Sequence, residues 1–281
     1  MTLSKHYSLL LIISLLFLSM GSNISFASTH NSNSINTPLR IAVASNFTPA
    51  LKELLVEFHQ KTQIKTQIIS GASGALFLQI RHGAPFDIFI SADSARPKQL
   101  EQQNLILSNS RKTYAVGQLA LLSMNKTAEL SDLTKIPTHF AIANPDTAPY
   151  GKAAKQTLQH LGLWQQYQKR LIIGININQT FTQVRSQAVN SGLVSNSQLV
   201  INKLTGAVIP NNYHQPIQQQ LAIMKKSKSI NNAKQLSAFL LSPSTQKKIV
   251  SYGYANNTFS PQLNQEANQQ LNQHEKSHAK P

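Results

Sequence analysis

Three short stretches place hydroxyl or amide side chains beside a helix start: Ser45-Asn46 before Phe47, Ser73-Gly74 before Ala75, and Pro149-Tyr150-Gly151 before Lys152. Each lies beyond the end of an apolar run that reads as a strand, and in an open α/β sheet the carboxyl ends of strands face a ligand crevice. A helix N-terminus at that position offers unpaired N–H groups and partial positive charge. Several converging there bind an anion without any lysine. Taken singly, Ser and Asn are ordinary helix caps, so only their repetition at three strand ends points to a site.

Other chemical patterns fail on context. His274-Glu275-Lys276-Ser277-His278 spells H-E-x-x-H, but that zinc chemistry needs both histidines on one face of a packed helix and a third ligand. Here the pattern sits in a polar tail with no apolar stripe. Gly71-Ala72-Ser73-Gly74-Ala75 approaches the nucleophile elbow G-x-S-x-G, with Ala75 in the fifth place. A hydrolase using Ser73 would also need a histidine, and His82, His139, His160 and His214 have no catalytic context. Gly151-Lys152 lacks the upstream glycine of a P-loop.

Composition narrows the classes further. The 281 residues contain no cysteine, which excludes a disulfide scaffold, a thiol enzyme and a cysteine-ligated metal. Hydrophobic residues make up 41% and charged residues 13%, the balance of a globular protein. The formal net charge is +16, yet Lys and Arg are dispersed and not interleaved with aromatics, so nucleic acid is not the expected partner. Positive charge on an anion receptor would speed encounter by long-range attraction.

The first 27 residues read as a secretory signal peptide: Lys5, an apolar run from Leu9 to Met20, and Ser25-Phe26-Ala27 at the cleavage site. That run is about twelve residues, well short of the roughly 20 that span a bilayer. Residues 28–37 and 260–281 are polar, low-complexity tracts expected to be poorly ordered.

Between them, strands and helices alternate. Leu39 to Ala44 is a strand, and Leu51, Leu54, Leu55 and Phe58 recur at helical spacing over Phe47 to Thr62. Gln67 to Ile69, Phe86 to Ile90, Leu119 to Ser123, Phe140 to Ala143 and Ile217 to Met224 read as further strands. Ala75 to His82, Gly151 to Leu161, Thr180 to Val189, Ala233 to Leu240 and Gln246 to Tyr252 read as helices. Units of this length imply an α/β protein with largely parallel sheets.

The segments V-A-S-N-F, G-A-S-G-A-L-F-x-Q-I, G-A-P-F-D-I-F-I-S-A-D (Gly83 to Asp93), Y-A-V-G-Q-L (Tyr114 to Leu119), A-N-P-x-x-A-P-Y-G (Ala143 to Gly151), P-I-Q-Q-Q (Pro216 to Gln220) and Y-G-Y (Tyr252 to Tyr254) resemble the periplasmic molybdate-binding proteins of ABC importers. The resemblance spans about Leu39 to Tyr254. It implies a two-lobed type II periplasmic binding protein with two interlobe crossings, near 116–118 and 219–222. The first lobe is then 38–117 with 222–259, and the second 118–221.

The resemblance also implies an oxyanion site formed by the hydroxyl and N–H of Ser45, by Asn46, Ser73 and Tyr150, and by the backbone N–H of Ile177. Relatives without a tyrosine at the Tyr150 position carry one where Ser195 stands. Gln187 replaces an expected turn glycine, and Ile175 stands where many relatives have an acid. The expected protein is a periplasmic monomer without enzymatic activity or cofactor, partnered by a membrane permease. The only metal would be that of the oxyanion, with no protein ligand to it.

Molybdate, tungstate and sulfate carry no proton at neutral pH and only accept hydrogen bonds, whereas phosphate keeps a proton and needs an acceptor. None of the five positions is acidic, and Asp87 and Asp93 read as structural, Asp93 as a helix cap. A sulfate-like oxyanion receptor and a secreted serine hydrolase using Ser73 are the alternatives.

Overall fold

The computed structural model describes residues 37–256. The expected leader, most of the polar tract after it and the tail carrying H-E-x-x-H lie outside them. β1 (Leu39–Ala44) opens a first sheet, and α1 (Thr48–Thr62) returns the chain to β2 (Thr66–Gly71). α2 (Ser73–Arg81), β3 (Ile88–Ile90), α3 (Ala95–Gln102) and β4 (Lys112–Gly117) complete the first pass. After Gln118 the chain enters a second sheet with β5 (Leu119–Ser123), β6 (Phe140–Ala143), α4 (Pro149–His160), α5 (Trp164–Gln168) and β7 (Leu171–Gly174). α6 (Ile177–Arg185), β8 (Ser191–Ser195), α7 (Asn196–Ile201) and β9 (Ala207–Val208) follow. β10 (Ile217–Ile223) carries the chain back, and α8 (Ile230–Leu241) and α9 (Pro243–Ser251) end it.

Within the described residues the two five-stranded sheets have the orders β2-β1-β3-β10-β4 and β7-β6-β8-β5-β9. β1 is parallel to β2 and β3, while β10 is antiparallel to β3 and β4. In the second sheet β6 is parallel to β7 and β8, and β5 is antiparallel to β8 and β9.

Both sheets are buried on both faces, which is why their strands read as continuous apolar runs. Along β1, Leu39, Ile41 and Val43 join the core formed with α1, α8 and α9, while Ala42 faces the core under α2 and α3. In the second lobe Phe140 and Ile142 face one core and Ala141 the other. This two-residue alternation places successive side chains of one strand in different cores.

The expected return at 219–222 is corrected. β10 pairs with β4 from Ile217, opposite Gly117, so the chain is back in the first sheet before the glutamines begin. Glutamines tolerate a strand interior when their amides find partners: Arg111 Nη1 donates to Gln220 Oε1 at 3.0 Å, and Gln220 Nε2 donates to Thr113 Oγ1 at 3.1 Å. The register slips by one residue between Gln219 and Gln220, leaving Tyr114 as the extra residue of a bulge in β4.

Candidate functional site

A small cavity lies where the two sheets' strand ends meet. Its wall includes Ser45, Asn46, Ser73, Tyr150 and Ile177, so all five expected positions converge. Ala44, Gly71, Ala72, Ala92, Ala148 and Pro149 complete it. No charged side chain and no histidine lines the wall.

Each position owes its place to local structure. β1 ends in a turn at Ser45-Asn46-Phe47 that starts α1, with Pro49 in the first helical turn. The N–H of Ser45 donates to the Gly71 carbonyl at 3.0 Å, extending the β1–β2 ladder by one bond. The expectation that this N–H serves the ligand is therefore corrected, and the Ser45 hydroxyl is what remains. Asn46 turns its Nδ2 away to donate to Gln219 Oε1 at 3.0 Å and to Tyr254 Oη at 3.2 Å. Its Oδ1 is buried without a partner.

Ser73 is the first residue of α2 and fully buried. Its Oγ accepts the Ala92 N–H at 2.9 Å, so its proton is directed elsewhere. Ile177 opens α6, three residues earlier than the helix expected from Thr180. Asn176 caps that helix, its Oδ1 accepting the N–H groups of Asn178 and Gln179 at 3.0 Å each, while its carbonyl accepts from Thr180. Neither bond uses the Ile177 N–H, and Ile177 lines the cavity. Gln198 Nε2 holds the Ile177 carbonyl at 3.3 Å.

Tyr150, in the first turn of α4, reaches from the second lobe to the first. Its Oη accepts from Gln219 Nε2 at 3.1 Å and lies so close over Gly117 that any side chain there would collide with it. Gln219 Oε1 also accepts from Tyr114 Oη at 2.8 Å, and Tyr254 Oη donates to the Asn46 carbonyl at 3.1 Å. Phe47 packs against the rings of Tyr114 and Tyr254 at 4.7 and 5.6 Å. Burial pushes the Tyr150 hydroxyl well above its ordinary pKa of 10.0, and Tyr254 adds to that; the bonds to Gln219 and Asn46 pull the other way. Tyr150 stays protonated at any physiological pH.

Ser195 lies at the end of β8 and outside the cavity wall, its Oγ 3.1 Å from Ser197 Oγ. The N-cap of α3 is Ser94, not Asp93 as expected; Asp93, one residue earlier, accepts the Arg96 N–H on Oδ1 at 3.0 Å, and Asp87 accepts from the Arg40 N–H at 2.8 Å and Ser227 Oγ at 2.6 Å. His214 Nδ1 lies 2.8 Å from the Gln215 carbonyl and His160 stacks on Tyr213. Neither touches the cavity. Among the described residues there is no group of three His, Asp or Glu placed to hold a metal ion.

Two hydrogen bonds close the lip between the lobes: Gly74 N to Thr147 O at 2.9 Å and Arg96 Nη2 to Asp146 O at 3.1 Å. Outside it lies an open groove of about 490 Å³ that shares Ala92, Ala148 and Pro149 with the cavity and carries Arg96 and Lys152. Gln219, Tyr114 and Tyr254 were not expected at the site. Their signal was a glutamine within an apolar strand and tyrosines in two of the recognisable segments.

The profile of the family described as bacterial extracellular solute-binding protein matches residues 39–255. The molybdate-binding protein ModA of Azotobacter vinelandii is 36% identical over 225 residues, covering 77% of this chain and 89% of that protein. ModA of Rhodobacter capsulatus is 36% identical over 219 residues, 76% of this chain and 86% of that one. The solved structure of the Azotobacter vinelandii periplasmic molybdate-binding protein superposes with a TM-score of 0.73 at 35% identity, covering 77% of this chain and 98% of that one. With this fold, this cavity and these relatives, the chain belongs to the bacterial extracellular solute-binding proteins.

Proposed function

We propose that the protein captures molybdate, and tungstate with it, between its lobes in the periplasm and hands it to the permease of an ABC importer. The observation that carries this reading is the chemistry of the cavity wall: contributions from both lobes, no charge, and hydroxyls whose oxygens already accept a bond. The oxygens of Ser73 and Tyr150 each accept one N–H already, which leaves their protons to be donated to a bound anion. With the Ser45 hydroxyl and the peptide N–H groups of Asn46 and Ile177, they form a donor set matched to an anion that carries no proton. A proton on phosphate would meet no carboxylate.

The ModA relatives support molybdate over sulfate, whose shorter bonds would need a smaller cage. Hydrolysis by Ser73 is disfavoured because no general base lines the cavity. Thermal unfolding of the protein with molybdate, tungstate, sulfate and phosphate in turn tests the reading. Ligand at a thousand times its dissociation constant stabilises by about 4 kcal/mol. Molybdate and tungstate are expected to raise the melting temperature strongly and the other two little; equal shifts from all four would mean nonspecific charge binding.

A further inference from the structure

Gln219 is fully buried on β10 of the first lobe, yet its amide bonds side chains of both lobes. Its Oε1 accepts from Tyr114 Oη and from Asn46 Nδ2, at 2.8 and 3.0 Å. Two donors on one oxygen fix the amide's orientation, so its Nε2 faces Tyr150 Oη at 3.1 Å. The bulge that displaces Tyr114 in β4 lies directly opposite, and bulges re-aim side chains beside sites.

We propose that Gln219 is a positioning residue for anion capture: its amide donates to the Tyr150 hydroxyl oxygen, which biases this hydroxyl toward donating its own proton and holds it at the cavity when the lobes are closed. The hydrogen bonds then run in one direction, from Tyr114 through the Gln219 amide to Tyr150 and on to the anion. Without the amide, that bias is lost, and Asn46, whose Oδ1 is an unpartnered acceptor, lines the same wall. The inference rests on the reading of Tyr150 as an anion donor given above.

A double-mutant cycle on molybdate affinity tests it, using calorimetry on the full chain with Gln219→Leu, Tyr150→Phe and the pair. The wild type and Tyr150→Phe alone test the underlying reading. Failure of the wild type to bind molybdate, or a Tyr150→Phe variant with unchanged affinity, would overturn that reading and this inference together. If Tyr150→Phe weakens binding, the cycle isolates Gln219. Gln219→Leu is expected to weaken binding about tenfold in the wild-type background and less than about twofold in the Tyr150→Phe background. A purely structural role would cost the same in both, and that result would overturn the proposal while leaving the function intact. Should Gln219→Leu not fold, Gln219→Asn keeps the amide but withdraws it from Tyr150, and the same coupling is expected from it; additive losses there count equally against the proposal.

Discussion

A hydroxyl has one proton to give, and a donor bound to its oxygen biases where that proton points. Ser73 and Tyr150 are both arranged this way, by the Ala92 N–H and the Gln219 amide. Tyr150→Phe keeps the ring and removes one charge-assisted bond, so molybdate binding should weaken by about 1.5–3 kcal/mol in isothermal titration. Ser195→Ala should change it far less, because Ser195 bonds Ser197 and stands outside the wall; the reverse ranking would move the second-lobe donor to β8. The five positions were legible from hydroxyl and amide residues at strand ends and from the family resemblance. Their partners were not, because a buried glutamine such as Gln219 gives no periodic signal, and which N–H of Ser45 or Ile177 stays unpaired depends on a neighbouring strand or cap.

At the scale of elements, helix starts do the positioning, and α2 shows how tightly. A Cβ added at Gly74 would stand 2.8 Å from the Thr147 carbonyl of the second lobe and 2.8 Å from the Arg96 guanidinium. Within its own helix the same change is favourable, since alanine exceeds glycine by about 1 kcal/mol in helix propensity. Gly74→Ala should therefore leave the ligand-free melting temperature unchanged or slightly higher while weakening molybdate at least tenfold. A variant with normal affinity would show that the lips need not meet this closely. The strands and amphipathic helices were legible because apolar runs and helical spacing survive in sequence. α3 was signalled only by Asp93, one residue before its N-cap Ser94, and β4 only by a recognisable segment. Their sequences, ARPKQLEQ and KTYAVG, are too polar or too short to announce a period. Gln187 has a φ of 60°, the left-handed conformation that makes glycine the expected residue there.

For the molecule as a whole, titrating groups set a window of stability. Bonds to Lys248 and Lys61 hold Glu57 down at about 2 from an ordinary 4.5, a contribution present above the ordinary value and lost as pH falls toward the lower one. Burial lowers His214 from 6.5, so the fold disfavours its charged form and loses stability as pH drops below about that value. Burial raises Tyr114, Tyr150 and Tyr254 above 10.0 and Tyr167 to about 12, contributions complete below pH 10 and lost as pH rises through the folded values. Melting temperature against pH should thus be flat between about 7 and 10 and fall on both sides; a maximum near pH 5 would contradict these assignments. The closed cleft also gives the protein an optical clock. Its single tryptophan, Trp164, lies in the second lobe with Lys155 over its ring and away from the cavity wall, so indole emission should report capture poorly. Burial instead disfavours the Tyr150 phenolate while the lobes are closed. After a jump to alkaline pH, the part of the slow phenolate rise that Tyr150→Phe removes, and not the parts from buried Tyr114, Tyr167 and Tyr254, should therefore time cleft opening, and a captive anion should lengthen it.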